Sequence, residues 1–232
     1  EETRGRLDCG LEGVGTEPSD ERFRGLRIFD ISDLTRPVQV GAVQTCRGSH
    51  THSVVSGPEP DGKIVVYNSG TSSVRDEEEL EGCVGEVPGD ERTALFRIDV
   101  IEIPVEDPSK ARIVDSPAVF ADPETGSLAG LWRGGEHDDE SQETSVTDQC
   151  HDITVFPALN LAAGACSGNG IILDISDVYN PKRIAAVTDQ GTIEGRAWET
   201  LRLRRRLCAE RVAILADLRV KHARPLAERP LA

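Results

Sequence analysis

Among the 232 residues, the side chains with the clearest capacity for chemistry are His50, His52, His151 and Asp152, in the stretches "SHTHSVV" and "CHDITVF". Imidazole nitrogens with a neighbouring carboxylate suit Zn, Cu, Fe or Ni better than Ca. One divalent transition metal is therefore the cofactor such a set would hold, with His50, His52 and His151 as ligands and Asp152 as ligand, outer partner or base. His50 and His52 are two apart, so on a regular strand both face the same side. A second reading stands beside this one: a His at the start of a strand also bonds a neighbouring carbonyl and orders the sheet without touching metal. No Gly-x-Ser-x-Gly, Walker loop, dinucleotide fingerprint or His-Glu-x-x-His occurs, so the common hydrolase and nucleotide signatures are missing.

The elements that must position these residues repeat along the chain. "GLRIFDISDLTRPVQVGAV" (25–43) aligns with "GIILDISDVYNPKRIAAV" (170–187), and "FRIDVIEIPVEDPSKARIV" (96–114) is a weaker copy. Asp30, Glu102 and Asp174 fall at equal intervals of 72 residues, the mark of a repeat architecture. Within each copy an apolar run leads to a turn, whose Asp and Ser side chains satisfy backbone donors and whose Pro fixes φ, and then to a second run. Asp30, Asp33, Asp174 and Asp177 are accordingly expected to cap turns rather than hold calcium, since the Asp-x-Asp-x-Asp-Gly loop with a terminal Glu is absent. "HTHSVV" and "KIVVYN", then "HDITVF" and "LNLAAGAC", add paired lead-in strands. The prediction is an all-β chain of antiparallel four-stranded blades, an incomplete β-propeller over residues 1–190. Acidic insertions near 71–92 and 121–149 interrupt it. Residues 191–232, Arg/Leu/Ala-rich with apolar residues at helical spacing, read as a helical extension.

Charge and cysteine usage bound the function. The net charge of -15 argues against nucleic acid and anionic membrane partners. It is uneven: residues 191–232 carry ten Lys+Arg against five Asp+Glu, leaving -20 for the rest. The acidic runs Asp76–Glu79 and Glu136–Glu140 read as solvated loops. No apolar run of 18 residues is present, so no membrane span is expected. The chain contains no Met and starts at Glu1, which reads as a processed or truncated product. Six cysteines, none in a Cys-x-x-Cys pair, point to disulfides and an oxidising location, secreted or in the periplasm or cell envelope.

On "GLRIFDISD...P", "GIILDISD...NP", "TCRGSHTHSVV", "FRIDVIEIP" and "CHDITVFPALNLAAGAC", the sequence from about Arg6 to Asp189 resembles the bacterial LVIVD-repeat β-propeller proteins. The resemblance implies a secreted or cell-envelope propeller acting as a binding module for a protein or small-molecule ligand. The alternative is a metal-dependent enzyme, oxidoreductase before lyase, with imidazoles gathered near a propeller axis. The sequence departs from that family after "AAVTD", where "QGTIEGRAWETLRLRRR" replaces a further aromatic-His strand. Fewer than three blades leave open sheet edges, through which self-association is expected. For the cysteines, Cys46 is expected to pair with Cys83, tying the acidic insertion to the strand before "HTHSVV". Cys150 is expected to pair with Cys166, linking neighbouring strands of one unit. Cys9 and Cys208 are left over.

Overall fold

In the computed structural model the described residues are 2–58, 60–85, 90–136 and 143–188. Their regular structure is strand apart from two three-residue 3₁₀ turns, Pro108–Lys110 and Pro157–Leu159. The strands are β1 (Gly5–Arg6), β2 (Arg22–Phe23), β3 (Gly25–Asp30), β4 (Val38–Gln44), β5 (Thr51–Ser56), β6 (Lys63–Ser69) and β7 (Asp99–Pro104). They continue with β8 (Arg112–Asp115), β9 (Arg133–Glu136), β10 (Glu143–Val146), β11 (Asp152–Phe156), β12 (Leu161–Cys166), β13 (Asn169–Asp174) and β14 (Lys182–Thr188).

Two four-stranded antiparallel meanders, β5-β6-β7-β8 and β11-β12-β13-β14, carry most of the architecture, with β3-β4, β1-β2 and β9-β10 as two-stranded pairs. The three sequence copies form β3-β4, β7-β8 and β13-β14, each joined by the acidic turn. The turn chemistry follows from short polar side chains reaching back to the main chain. Asp30 Oδ1 accepts from the Ser32 N–H and hydroxyl at 2.8 and 2.6 Å, and Asp174 Oδ1 accepts from Ser176 at the same distances. Asp33 and Asp177 receive the N–H groups of Thr35 and Tyr179 at 2.9 and 3.1 Å.

Period-two alternation then sorts side chains between two cores. On β6, Val65 and Tyr67 point one way and Ile64 and Val66 the other. The first pair, with Val55 and Val100, packs on Ile153, Ala162, Ile171 and Leu173 of the β11–β14 sheet. The second, with Ile101, Ile103 and Ile113, packs on Leu26, Ile28 and Val43 of the β3-β4 hairpin. Three sheets are thus layered face to face, and the acidic turn of the last seals the contact. The Tyr67 hydroxyl donates to the Val178 carbonyl at 2.9 Å, and the Tyr179 hydroxyl to Glu102 Oε2 at 2.9 Å.

The all-β expectation therefore describes these residues, which form several small sheets, two of them four-stranded; among the described residues no closed barrel or propeller ring is formed. The helical extension over 191–232 lies outside the described residues, as do 137–140 of the second acidic run. No helix among the described residues is long and apolar enough to cross a membrane.

Candidate functional site

The candidate site is built where the sheet β5–β8 meets the sheet β11–β14. Strands β5 and β11 lie side by side, held by hydroxyls that cross between them. Thr51 Oγ1 donates to the His151 carbonyl at 2.7 Å and Ser53 Oγ to the Ile153 carbonyl, while from the end of β6 Ser69 Oγ donates to the Cys150 carbonyl at 2.5 Å. Serine and threonine suit these places because a one-carbon reach spans adjacent backbones that lack a ladder of their own. These bonds place His50 and His151, at the starts of the two strands, ring to ring. Their centroids are 4.3 Å apart at an interplanar angle of 67°.

Each ring has a carboxylate. His50 Nδ1 lies 2.9 Å from Glu2 Oε2, and Glu2 Oε1 in turn accepts from the Thr71 N–H at 3.3 Å and from the Thr71 hydroxyl. Burial raises the Glu2 pKa, but the hydrogen bonds from His50 and Thr71 outweigh it and hold the carboxyl below its ordinary value. His151 Nδ1 is 3.5 Å from Asp152 Oδ2, and both side chains are largely exposed. His52 does not join them: its Nδ1 lies 3.2 Å from Ser49 Oγ. β5 begins at Thr51, so His50 lies ahead of the strand whose alternation would have aligned it with His52. Among the described residues no group of three or more His, Cys, Asp or Glu is placed to hold a metal ion. The arrangement is a surface junction of two imidazoles and two carboxylates that clips the N-terminal segment to the end of β6.

The cysteines are joined as Cys46–Cys83, with Cα atoms 5.3 Å apart, and Cys150–Cys166. Cys9 is free and exposed, and Cys208 lies outside the described residues. Below the first disulfide sits a charged cluster that sequence reasoning missed. The acidic run 76–79, expected to be solvated, ends with Glu79 buried between Arg75, whose Nε lies 2.6 Å from Glu79 Oε1, and Arg22, whose Nε lies 3.4 Å from it. Arg75 also donates to Gln44 Oε1 and to the Arg22 carbonyl, and Arg24 donates to the Ser73 carbonyl. Burial pushes the Arg24 and Arg75 guanidinium groups below their ordinary pKa. The segment 75–79 forms no helix, so neither the pairing of Arg75 with Glu79 nor the arrival of Arg22 had a periodic signal. Glu102, the middle member of the repeated acids, plays a comparable role on the other side, receiving Lys63 Nζ at 2.9 Å and Arg112 Nη2 at 3.0 Å.

A cavity of about 540 Å³ opens along β14, lined by Pro117, Val119, Asp122, Lys182, Ile184 and Ala186 among others. It collects no cluster of acid, base or nucleophile, and Arg183 beside it is engaged with the Ala121 carbonyl at 2.6 Å.

With this geometry described, similarity to known proteins corrects the family reading. No solved structure matches the chain. A stretch of 96 residues is 69% identical to the photosystem I biogenesis protein BtpA of Synechocystis sp. (strain ATCC 27184 / PCC 6803 / Kazusa), covering 37% of this chain and 31% of the relative. The chain thus spans about a third of that relative's length. The LVIVD-repeat resemblance is overturned, and with it both the secreted binding module and the metal-dependent enzyme, because the family that residues 179–232 match is the BtpA family.

Proposed function

We propose that the chain takes part in photosystem I biogenesis, the role named for its Synechocystis relative, and that residues 179–232 carry this part. The observation that supports it is the match of those residues to the BtpA family, alongside the identity of 69% over 96 residues. The sheets before residue 179 serve in this reading as a scaffold stiffened by two disulfides and by the buried Arg22–Glu79–Arg75 cluster. Exchange of a segment tests the proposal. In Synechocystis, the stretch of the relative that aligns with residues 179–232 is replaced by those residues, and photosystem I is measured per cell by its light-induced absorbance change. Retained photosystem I supports the proposal. A normal level of hybrid protein with photosystem I lost overturns it.

We also propose an oxidising compartment, the periplasm or cell envelope, as the place where the sheets mature; the two disulfides support it. Acid quenching and alkylation of intact cells reads this directly. Protection of Cys46, Cys83, Cys150 and Cys166 from alkylation is expected, and recovery of all four as thiols would overturn it.

A further inference from the structure

The repeated acids Asp30, Glu102 and Asp174 give a common frame in which each layered sheet has a front and a back. The residues one before and one after the acid form the front: Phe29 and Ile31, Ile101 and Ile103, Leu173 and Ile175. The residue two before lies on the back: Ile28, Val100, Ile172. Both internal junctions obey one rule, the back of one unit on the front of the next. Ile28, with Leu26 and Val43, covers Ile101 and Ile103. Val100, with Val65 and Tyr67, covers Leu173 and Ile175. The covered fronts are dry, with Ile101 and Leu173 at 0%, Ile175 at 2% and Ile103 at 8% exposure.

The two ends of the layered set break the pattern in complementary ways. On the first unit the front is open, with Phe29 at 43%, Ile31 at 60% and the turn residue Leu34 at 80% exposure. On the last unit the back belongs to neither core formed by the described residues. Ala163, Ile172 and Ala185 form one register row, and Ala165, Gly170 and Val187 the next, with Val187 38% exposed. By the alignment, Gly170, Ile172 and Val187 occupy the places of Leu26, Ile28 and Val43, the three residues that make the first internal junction. The described residues thus leave an unmatched front at one end and an unmatched back at the other, the two halves of one interface. The N-terminal segment narrows the open front, since Arg27 lies 3.9 Å over the Phe23 ring and donates to the Arg6 carbonyl, but it leaves Phe29, Ile31 and Leu34 uncovered.

We propose that the occupant of the open back of β11–β14 is a second copy of this chain, docked through the Phe29–Ile31–Leu34 front of its β3-β4 hairpin. Such a contact is heterologous, so it propagates head to tail into a closed ring or an open filament. One substitution sets its limit. The first junction seats the Pro108 carbonyl where a side chain at Gly41 would stand, and the matching position in the last unit is Ala185. The junction between copies is therefore held further apart by a methyl group and is weaker than the internal ones. The inference stands apart from the proposed role in biogenesis, because it concerns residues before 188 only.

Sedimentation velocity on the full oxidised chain, from dilute to concentrated solution, tests it with two variants: a front variant, Ile31→Asp with Leu34→Asp, and a back variant, Val187→Asp. The wild type is expected to rise above twice its monomer mass of 25.1 kDa. Each variant alone is expected to stay monomeric, and the two mixed should give a 1:1 heterodimer that grows no further, since each supplies the face the other lacks. Circular dichroism and disulfide content verify folding; if the double front variant fails this check, Leu34→Asp alone replaces it. A wild type monomeric at every concentration overturns the proposal. So does a front variant that associates like the wild type, or a mixture that yields no heterodimer.

Discussion

The sheets β5–β8 and β11–β14 share a topology, similar strand lengths and the same acidic turn, yet they are stabilised differently. The first is covered on both faces, by β3-β4 on one side and β11–β14 on the other, so nearly every apolar side chain of β6 and β7 is buried. Among the described residues the second is covered on one face, and β14 is exposed along most of its length. Strand composition follows this. The doubly covered strands read "KIVVYNS" and "DVIEIP", near-continuous apolar runs, whereas β12 and β14 read "LAAGAC" and "KRIAAVT". Burial on two faces demands apolar side chains on two faces.

The largest effect that sharpens this contrast is core truncation. Ile101→Ala is expected to cost about 2–5 kcal/mol, because it opens a cavity between two sheets. Ile172→Ala, on the open back, should cost under about 1 kcal/mol. Urea unfolding of the dilute chain measures both, and equal losses would mean the open back is covered after all.

Next come the disulfides, one beside each sheet. Each contributes roughly 2–4 kcal/mol by restricting the unfolded chain. The separations of 37 residues for Cys46–Cys83 and 16 for Cys150–Cys166 make the first worth about 0.7 kcal/mol more in the loop-entropy account. Paired Cys→Ala variants compared by thermal unfolding check the order; a reversed order would show that native packing around Cys150–Cys166, rather than loop length, decides.

The smallest effect concerns the clip between Glu2 and the edge of the doubly covered sheet. The Glu2 carboxyl titrates below its ordinary range in the folded chain. Its contribution is therefore complete above the unfolded-state pKa and is lost as pH falls through the lowered folded value. Hydrogen exchange of residues 2–6 should quicken over that acidic window in the wild type. In Glu2→Gln it should be fast already at neutral pH, with global stability reduced by under about 1 kcal/mol.

The strands and their turns were legible because their signals are local. Alternating Val and Ile, and Asp-Ile-Ser-Asp ahead of Pro, act within a few residues of themselves, and Asp30 and Asp174 bond their own neighbours at Ser32 and Ser176. The site was legible only in part. His50 and His151 meet, but His52 turns to Ser49, because the strand begins only at Thr51 and its alternation does not reach back to His50. The fate of Glu79 was hidden for another reason: its burial depends on Arg22, 57 residues earlier in the chain.

By itself the sequence determined the strand content, the repeated acidic turn and the uneven charge, all of which follow from the chemistry of neighbouring residues. Only the tertiary structure decided which faces are covered, which imidazoles touch and which acids lose their water. Those depend on sheets layered from residues far apart in the chain, and the free energy of burial belongs to the pair of surfaces rather than to either strand.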